Sequence, residues 1–312
     1  MTGPVTVAAV QATPVFLDRD ATVEKACRLV KEAASAGASL IAFPETFIPT
    51  YPDWIWRMPA WRDAELVARL YRESVTVPGP TVDRLGAAAA EAGAYIAIGV
   101  NEIDGGTLYN TLLYLGPDGD LLGRHRKLMP TGGERTIWGM GDGSTLDVVP
   151  TPFGVVGGLI CWENYMPLAR AAMYAQGVDI YLAPTWDNSD TWLATLRHIA
   201  KEGGCYVLGI APVLRATDVP TELRGDAYGD ELDWMSRGLS AIIAPGGDII
   251  AGPLAEQEGI LYAAIDPELA QAQRRHFDPI GHYSRPDVFN LHVDTTHRQP
   301  VTMHAHPEAR YP

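Results

Sequence analysis

Three features of the amino-acid sequence predict an α/β protein. Apolar runs of strand character alternate with amphipathic helical stretches along most of the chain. The run Phe153-Gly154-Val155-Val156-Gly157-Gly158-Leu159-Ile160 is apolar at successive positions, as expected of a strand covered on both faces. Turn chemistry also recurs between runs, at Pro117-Asp118-Gly119-Asp120 and at Pro245-Gly246-Gly247-Asp248, where hairpins are expected.

In chain order, residues 5–11 make the first predicted strand and residues 21–36 an amphipathic helix ending near Gly37. Cys27 lies between Val23 and Val30 at helical spacing and reads as a packing residue. A second strand, 40–43, stops at Pro44. Helices follow at 63–73 and 82–92, then strands at 95–100 and 111–115. After Cys161, Asn164 is a candidate N-cap, Pro167 suits a first turn, and residues 168–176 form a helix that Gly177 ends. Further strands are expected at 180–183, 206–213 (opened by Cys205, another packing residue), 239–244, 249–251 and 260–265. Residues 214–237 lack periodicity, and a loop of that length is functional, interfacial or mobile. Without repeats or a low-complexity linker, residues 1–312 are expected to form a single domain.

Composition removes several function classes. A formal net charge of -14 argues against nucleic acid or an anionic membrane as partner. Three cysteines in 312 residues give no disulfide framework and point to a reducing compartment. With no basic leader and no apolar run long enough for a bilayer, a cytoplasmic location is expected.

Polar groups that could carry chemistry follow three apolar strands, at the edge where active sites of α/β sheets gather. Cys161 stands between a buried strand and a helix start, where a helix N-terminus would favour its thiolate. The competing reading is a buried small hydrophobe. Pro44-Glu45 delivers a carboxylate to another strand end, and Gly123-Arg124-His125-Arg126-Lys127 brings a lysine after a hairpin. Taken singly, Glu45 also reads as a solvated strand-end acid and Lys127 as part of a basic surface run. His125 between two arginines is expected to be solvated, and His198 to orient a helix. The histidines form no ligand pair at helical spacing, so neither a metal nor another cofactor is expected.

Together, Pro44-Glu45-Thr46-Phe47, Arg126-Lys127-Leu128-Met129-Pro130-Thr131 and Leu159-Ile160-Cys161-Trp162-Glu163-Asn164-Tyr165-Met166-Pro167-Leu168 resemble the three signature segments of the nitrilase superfamily, in order. Glu134-Arg135, Trp138-Gly139, Gly141-Asp142-Gly143, Ala183-Pro184-Thr185-Trp186, Arg197-His198-Ile199-Ala200 and His282-Tyr283-Ser284-Arg285-Pro286-Asp287 are similar to stretches of true nitrilases. The resemblance runs from about Val5 to about Val293. It implies a four-layer α-β-β-α sandwich, a C-terminal extension from about residue 277, and a catalytic triad of Glu45, Lys127 and Cys161 with Glu134 as second glutamate. Within the superfamily, Trp162 after the cysteine resembles the nitrile-hydrolysing branch. Homodimers or larger homo-oligomers are implied as well.

The implied chemistry is coherent. A free thiol of pKa about 8.5 is only slightly ionised near neutral pH, so a carboxylate base, Glu45, is needed to take its proton. Sulfur addition to a nitrile places negative charge on nitrogen, which a fixed ammonium, Lys127, can stabilise. A thioimidate and then a thioester would follow, releasing ammonia and a carboxylic acid; expulsion of Cys161 instead gives an amide. The aromatic stretch Phe47, Tyr51, Trp54, Trp56 and Trp61, with Trp186, suits an aryl or arylaliphatic nitrile, and Tyr51, Trp54, Trp162 and Trp186 are the candidate substrate-binding residues. The alternatives are an amidase or carbamoylase of the same superfamily, a cyanide-hydrolysing relative, or a non-catalytic scaffold.

Overall fold

A computed structural model describes residues 3–225, 227–228, 234–298 and 301. The first elements are β1 (Val5–Gln11), α1 (Arg19–Ser35), β2 (Ala38–Ala42), α2 (Ala64–Glu73), α3 (Pro80–Ala92), β3 (Tyr95–Asp104), β4 (Thr107–Leu115) and β5 (Leu121–Arg126). Then come β6 (Val149–Thr151), β7 (Gly154–Gly158), α4 (Pro167–Ala175), β8 (Ile180–Pro184), α5 (Asp190–Gly203), β9 (Tyr206–Ile210) and β10 (Val213–Arg215). The chain continues through α6 (Thr221–Arg224), β11 (Trp234–Ile243), β12 (Ile249–Ala255), β13 (Gly259–Ile265) and α7 (Pro267–Arg274). One sheet has the order β13-β1-β2-β3-β4-β5; the other runs β10-β11-β9-β8-β7-β6, with β12 paired to β11. Both mix parallel and antiparallel pairs: β1, β2 and β3 are parallel, as are β7, β8 and β9.

Alternation along the strands builds the layers. On β1, Ala8 and Val10 join Val23, Ala26, Val30 and Ala33 of α1 and Val82, Leu85 and Ala89 of α3 in one core cluster. Val7 and Ala9, facing the other way, pack with Leu40 and Ala42 against Ile180, Leu182, Leu208 and Ile242 of the second sheet. The outer face of that sheet, through Tyr181, Ala183 and Val207, is covered by Met173 of α4 and by Trp192, Leu196 and Ile199 of α5. The result is the four-layer α-β-β-α sandwich that the resemblance implied.

Several boundaries move, each for a local reason. Asp18 caps α1 through a bond from Ala21 N–H (2.9 Å), extending the helix to Arg19. Asn164 is not the N-cap of α4: its amide is directed back onto the Cys161 turn, and Met166 caps without a side-chain bond. The expected loop over 214–237 contains β10, α6 and the start of β11; residues 226 and 229–233 lie outside the described residues. Beyond α7 the chain doubles back: Arg298 N–H donates to Asp142 Oδ2 at 2.6 Å, and His297 Nδ1 lies 3.2 Å from the same carboxylate oxygen. No helix among the described residues is long and apolar enough to cross a membrane.

Candidate active site

Glu45 leaves the end of β2, Lys127 the end of β5 and Cys161 the end of β7. The Glu45 segment is sewn onto β3 by Phe43 N–H to Ala97 O (2.8 Å) and Asn101 N–H to Ile48 O (2.7 Å). The approach is close enough that only glycine fits at position 99, where a Cβ would sit 2.3 Å from Pro44 O. Thr46 (φ 42°) and Cys161 (φ 53°) both hold the left-handed backbone region, a conformation that costs non-glycine residues energy and clusters at functional sites. Each bend turns the neighbouring functional group out of strand register.

The charged groups meet in a buried cluster. Lys127 Nζ donates to Glu45 Oε1 and to Glu134 Oε2, both at 2.8 Å, and all three residues are about 1% exposed. Asn110 of β4 donates to Glu45 Oε1 at 2.7 Å and fixes the carboxylate plane. Glu134 is further held by Thr131 N–H (2.6 Å) and by the Tyr51 hydroxyl, which donates to its Oε1 at 2.7 Å; Trp56 Nε1 in turn donates to Tyr51 Oη at 3.1 Å. Glu45 Oε2 is buried and has no hydrogen-bond partner among the described residues. An unpartnered carboxylate oxygen of this kind is costly unless another group uses it.

Cys161 opens a 3-10 turn (Cys161–Tyr165) and is 4% exposed. Asn164 Nδ2 donates to Leu159 O and Cys161 O, both at 2.8 Å, while Asn164 Oδ1 accepts from Tyr181 Oη at 2.8 Å. The Thr185 hydroxyl donates to Cys161 Sγ at 3.2 Å. The helix-start effect expected to favour the thiolate does not prevail: burial, with Glu45 adding to it, pushes the thiol up against the pull of Lys127. A single 3-10 turn offers too little dipole to reverse that. Burial also raises Glu45 above the usual carboxylate range, aided by Glu134 and opposed by Lys127. In Lys127, burial favours the neutral amine, but Glu45, Cys161 and Glu134 outweigh it and hold the ammonium charged.

A cleft of about 430 Å³ opens above the thiol, lined by Tyr51, Trp56, Thr131, Glu134, Cys161, Trp162, Trp186, Asp187 and Ser189. Tyr51 and Trp186 stack face to face, with centroids 4.4 Å apart, and Trp162 Nε1 donates to Asp187 Oδ2 at 2.8 Å. Of the four candidate substrate-binding residues, Tyr51, Trp162 and Trp186 therefore line the cleft. Trp54 does not: it is fully buried in the cluster with Phe16, Leu66 and Leu70, because the 3-10 turn Asp53–Trp56 directs Trp54 inward and Trp56 toward the cleft. Trp61, 83% exposed, lies away from it.

His125 corrects another expectation, since strand alternation carries it into the interior at 1% exposure. Its flanking arginines take the opposite face, where both donate to Glu102. His198 lies exposed on α5, with Nε2 3.5 Å from Glu202. Among the described residues no group of three or more His, Cys, Asp or Glu side chains is arranged to hold a metal ion. Asn110, within a strand, carried no sequence signal of its own, whereas Thr185 lay in the Ala183-Pro184-Thr185-Trp186 stretch just past a strand end without being singled out.

Residues 6–275 match the family model for carbon-nitrogen hydrolases. An aliphatic nitrilase from Sinorhizobium fredii is 48% identical over 306 residues, covering 96% of this chain and 98% of that protein. A bifunctional nitrilase/nitrile hydratase from Lupinus angustifolius is 46% identical, covering 94% and 87%. Among solved structures, a carbon-nitrogen hydrolase from Helicobacter pylori superposes with a TM-score of 0.73 at 20% identity over 92% of this chain and 97% of that one. Saccharomyces cerevisiae Nit3, described as a member of branch 10 of the nitrilase superfamily, gives 0.71 at 21% identity, covering 91% and 97%. These two likenesses concern the fold. With matches of this extent on either side of the Glu45, Lys127 and Cys161 cluster, the chain belongs to the carbon-nitrogen hydrolase family, in its nitrilase branch.

Proposed function

We propose that the chain hydrolyses an organic nitrile to a carboxylic acid and ammonia, with Cys161 as nucleophile, Glu45 as general base and Lys127 as the stabilising cation. The observation that carries this reading is Glu45 Oε2, a buried carboxylate oxygen with no partner among the described residues, in a residue anchored through its other oxygen to Lys127. With the thiol pushed up, proton transfer to Glu45 must accompany attack, and Glu45's own raised pKa makes it a stronger base than an ordinary carboxylate.

Sulfur adds to the nitrile carbon, and the developing charge on nitrogen is met by the Lys127 ammonium and by the backbone N–H of Trp162, in the first turn of the 3-10 segment Cys161–Tyr165. Glu45 then passes the thiol proton to that nitrogen, which gives the neutral thioimidate and restores the carboxylate; Glu45 next takes a proton from an attacking water and returns it to the nitrogen, so that the tetrahedral species expels ammonia and leaves a thioester. A second water releases the acid and restores the thiol. Glu134, fixed by Tyr51 and Thr131, holds Lys127 and adds negative charge where an ammonium leaves. If the tetrahedral species expels Cys161 instead, an amide results; the Lupinus relative, named as both nitrilase and nitrile hydratase, supports a measurable amide fraction.

Aromatic walls from Tyr51, Trp56, Trp162 and Trp186 suit a planar or arylaliphatic group. The relative named an aliphatic nitrilase supports a short alkyl chain instead, and Asp187 and Ser189 give the cleft a polar side. Comparing benzonitrile, phenylacetonitrile, a short aliphatic nitrile, cyanide and the matching amides separates these readings, amides being the arm for an amidase. The domain is taken as one catalytic unit with an appended segment from about residue 277. A homodimer or larger homo-oligomer in the cytoplasm completes the reading, supported by the exposed apolar residues Leu168 of α4 and Tyr283 and Phe289 of that segment.

A further inference from the structure

We propose that His125 and Glu163 form a charged clamp that sets the distance between Lys127 and Cys161, as positioning residues that touch no substrate. The inference rests on the assignment of Cys161 and Lys127 above.

Glu163 is two residues from Cys161, is about 1% exposed and does not line the cleft. Its carboxylate instead points into the protein and accepts from chain on either side of the reaction centre. Oε2 accepts the N–H of Ile160, immediately before Cys161, at 2.7 Å. Oε1 accepts the N–H of Leu128, immediately after Lys127. One carboxylate thus ties the loop that follows β7 in one sheet to the loop that follows β5 in the other. No backbone hydrogen bond found elsewhere between residues 127–128 and 160–161 makes that link among the described residues.

His125 completes the clamp from β5. Its Nε2 lies 3.0 Å from Glu163 Oε2 and its Nδ1 lies 3.0 Å from Thr145 O, in the turn Gly143–Thr145. Both ring nitrogens therefore face acceptors. A neutral imidazole has one N–H and would aim a lone pair at either a carbonyl or a carboxylate; the imidazolium donates at both and leaves nothing unpaired. The Glu163 charge offsets burial and holds His125 above its ordinary value. The remaining titratable groups around the pair do not compete. Tyr114 of β4 and Tyr181 of β8 are phenols that burial raises out of the neutral range, and Glu163 adds to both. Arg124 and Arg126, the neighbours of His125 on β5, are engaged by Glu102 on the opposite face.

The consequence is geometric. Lys127 and Cys161 come from different sheets, and misplacement by about 1 Å can cost on the order of 100-fold in rate. A neutral His125 would lose one of its two bonds and release one side of the clamp. Its cation is present below the raised pKa and lost above it, so an alkaline decline in kcat is expected.

The test has a spectroscopic arm and a kinetic arm on the full chain. In the wild-type protein, nitrogen-15 NMR of His125, its ring signals assigned by through-bond correlation to its own backbone resonances, should show both ring nitrogens protonated at neutral pH, with the midpoint above that of a free histidine. A neutral tautomer at that pH overturns the proposal whether or not any variant folds. Folded His125→Gln and Glu163→Gln should lose about 10- to 100-fold in kcat with KM changed less than about twofold. His125→Gln should also lack the alkaline decline of the wild type. Unchanged kcat in both variants, or the same alkaline limb in His125→Gln, contradicts the clamp. The NMR arm uses no substrate, so failure of nitrile hydrolysis as the reaction is distinguishable from failure of the clamp.

Discussion

Glu45 shows how much of the chemistry is decided at single atoms. One carboxylate oxygen receives two hydrogen bonds, from Lys127 and Asn110, and the other is buried without a partner. Glu45→Gln keeps the size of the side chain but removes the proposed base, and kcat should fall by about 10²- to 10⁴-fold. Because Glu45 is raised, the acid limb of kcat/KM in the wild type should lie above the ordinary carboxylate range, activity falling as pH drops through it. A limb at the usual carboxylate value would contradict the desolvated base. Lys127 has a structural role too, since Lys127→Met leaves two carboxylates buried together. That variant should lose about 3–5 kcal/mol of stability by denaturant unfolding at neutral pH. Glu45, Lys127 and Cys161 stood out in the sequence only as a set: each singly had a bland reading, and the resemblance of the three ordered segments to the nitrilase superfamily implied the triad. Asn110 did not stand out, since its importance comes only from what the fold brings near it, and Thr185, although within a quoted stretch, was not singled out because only the fold sets its hydroxyl against Cys161 Sγ.

At the scale of elements, periodicity located the strands better than it assigned faces. β1 matches its sequence reading in full, and β13 differs by a single residue, because their apolar runs are bounded by clear turn or polar signals. α7 was missed, and α5 was anticipated only as a helix around His198, without bounds. Short irregular turns hide their register altogether. Trp54 and Trp56, two residues apart on one 3-10 turn, end on opposite sides, and His125 alternates inward between two arginines. Trp54→Ala should therefore destabilise the protein by about 3–5 kcal/mol in thermal or chemical unfolding. Trp56→Ala, half-exposed at the cleft, should leave stability nearly unchanged and act on KM. The reverse pattern would restore Trp54 to the substrate site.

For the molecule as a whole, the two sheets matter as a device for bringing three strand ends to one point. The core between them is continuous with the Cys161 side chain, so the proposed nucleophile sits at the edge of the packed interior. The sandwich, and the meeting of Glu45, Lys127 and Glu134 in one buried cluster, were legible from the resemblance of ordered motifs, while the course of the C-terminal segment across Asp142 was not, because it depends on contacts between chain positions far apart. The same Cys161 decides the central claim. Ammonia release should be measured from the nitrile panel and the matching amides, using wild-type protein and a folded Cys161→Ala variant. The account predicts release from nitriles by the wild type, little from amides, and none from the variant. Turnover of amides alone, or undiminished nitrile turnover by Cys161→Ala, would contradict it.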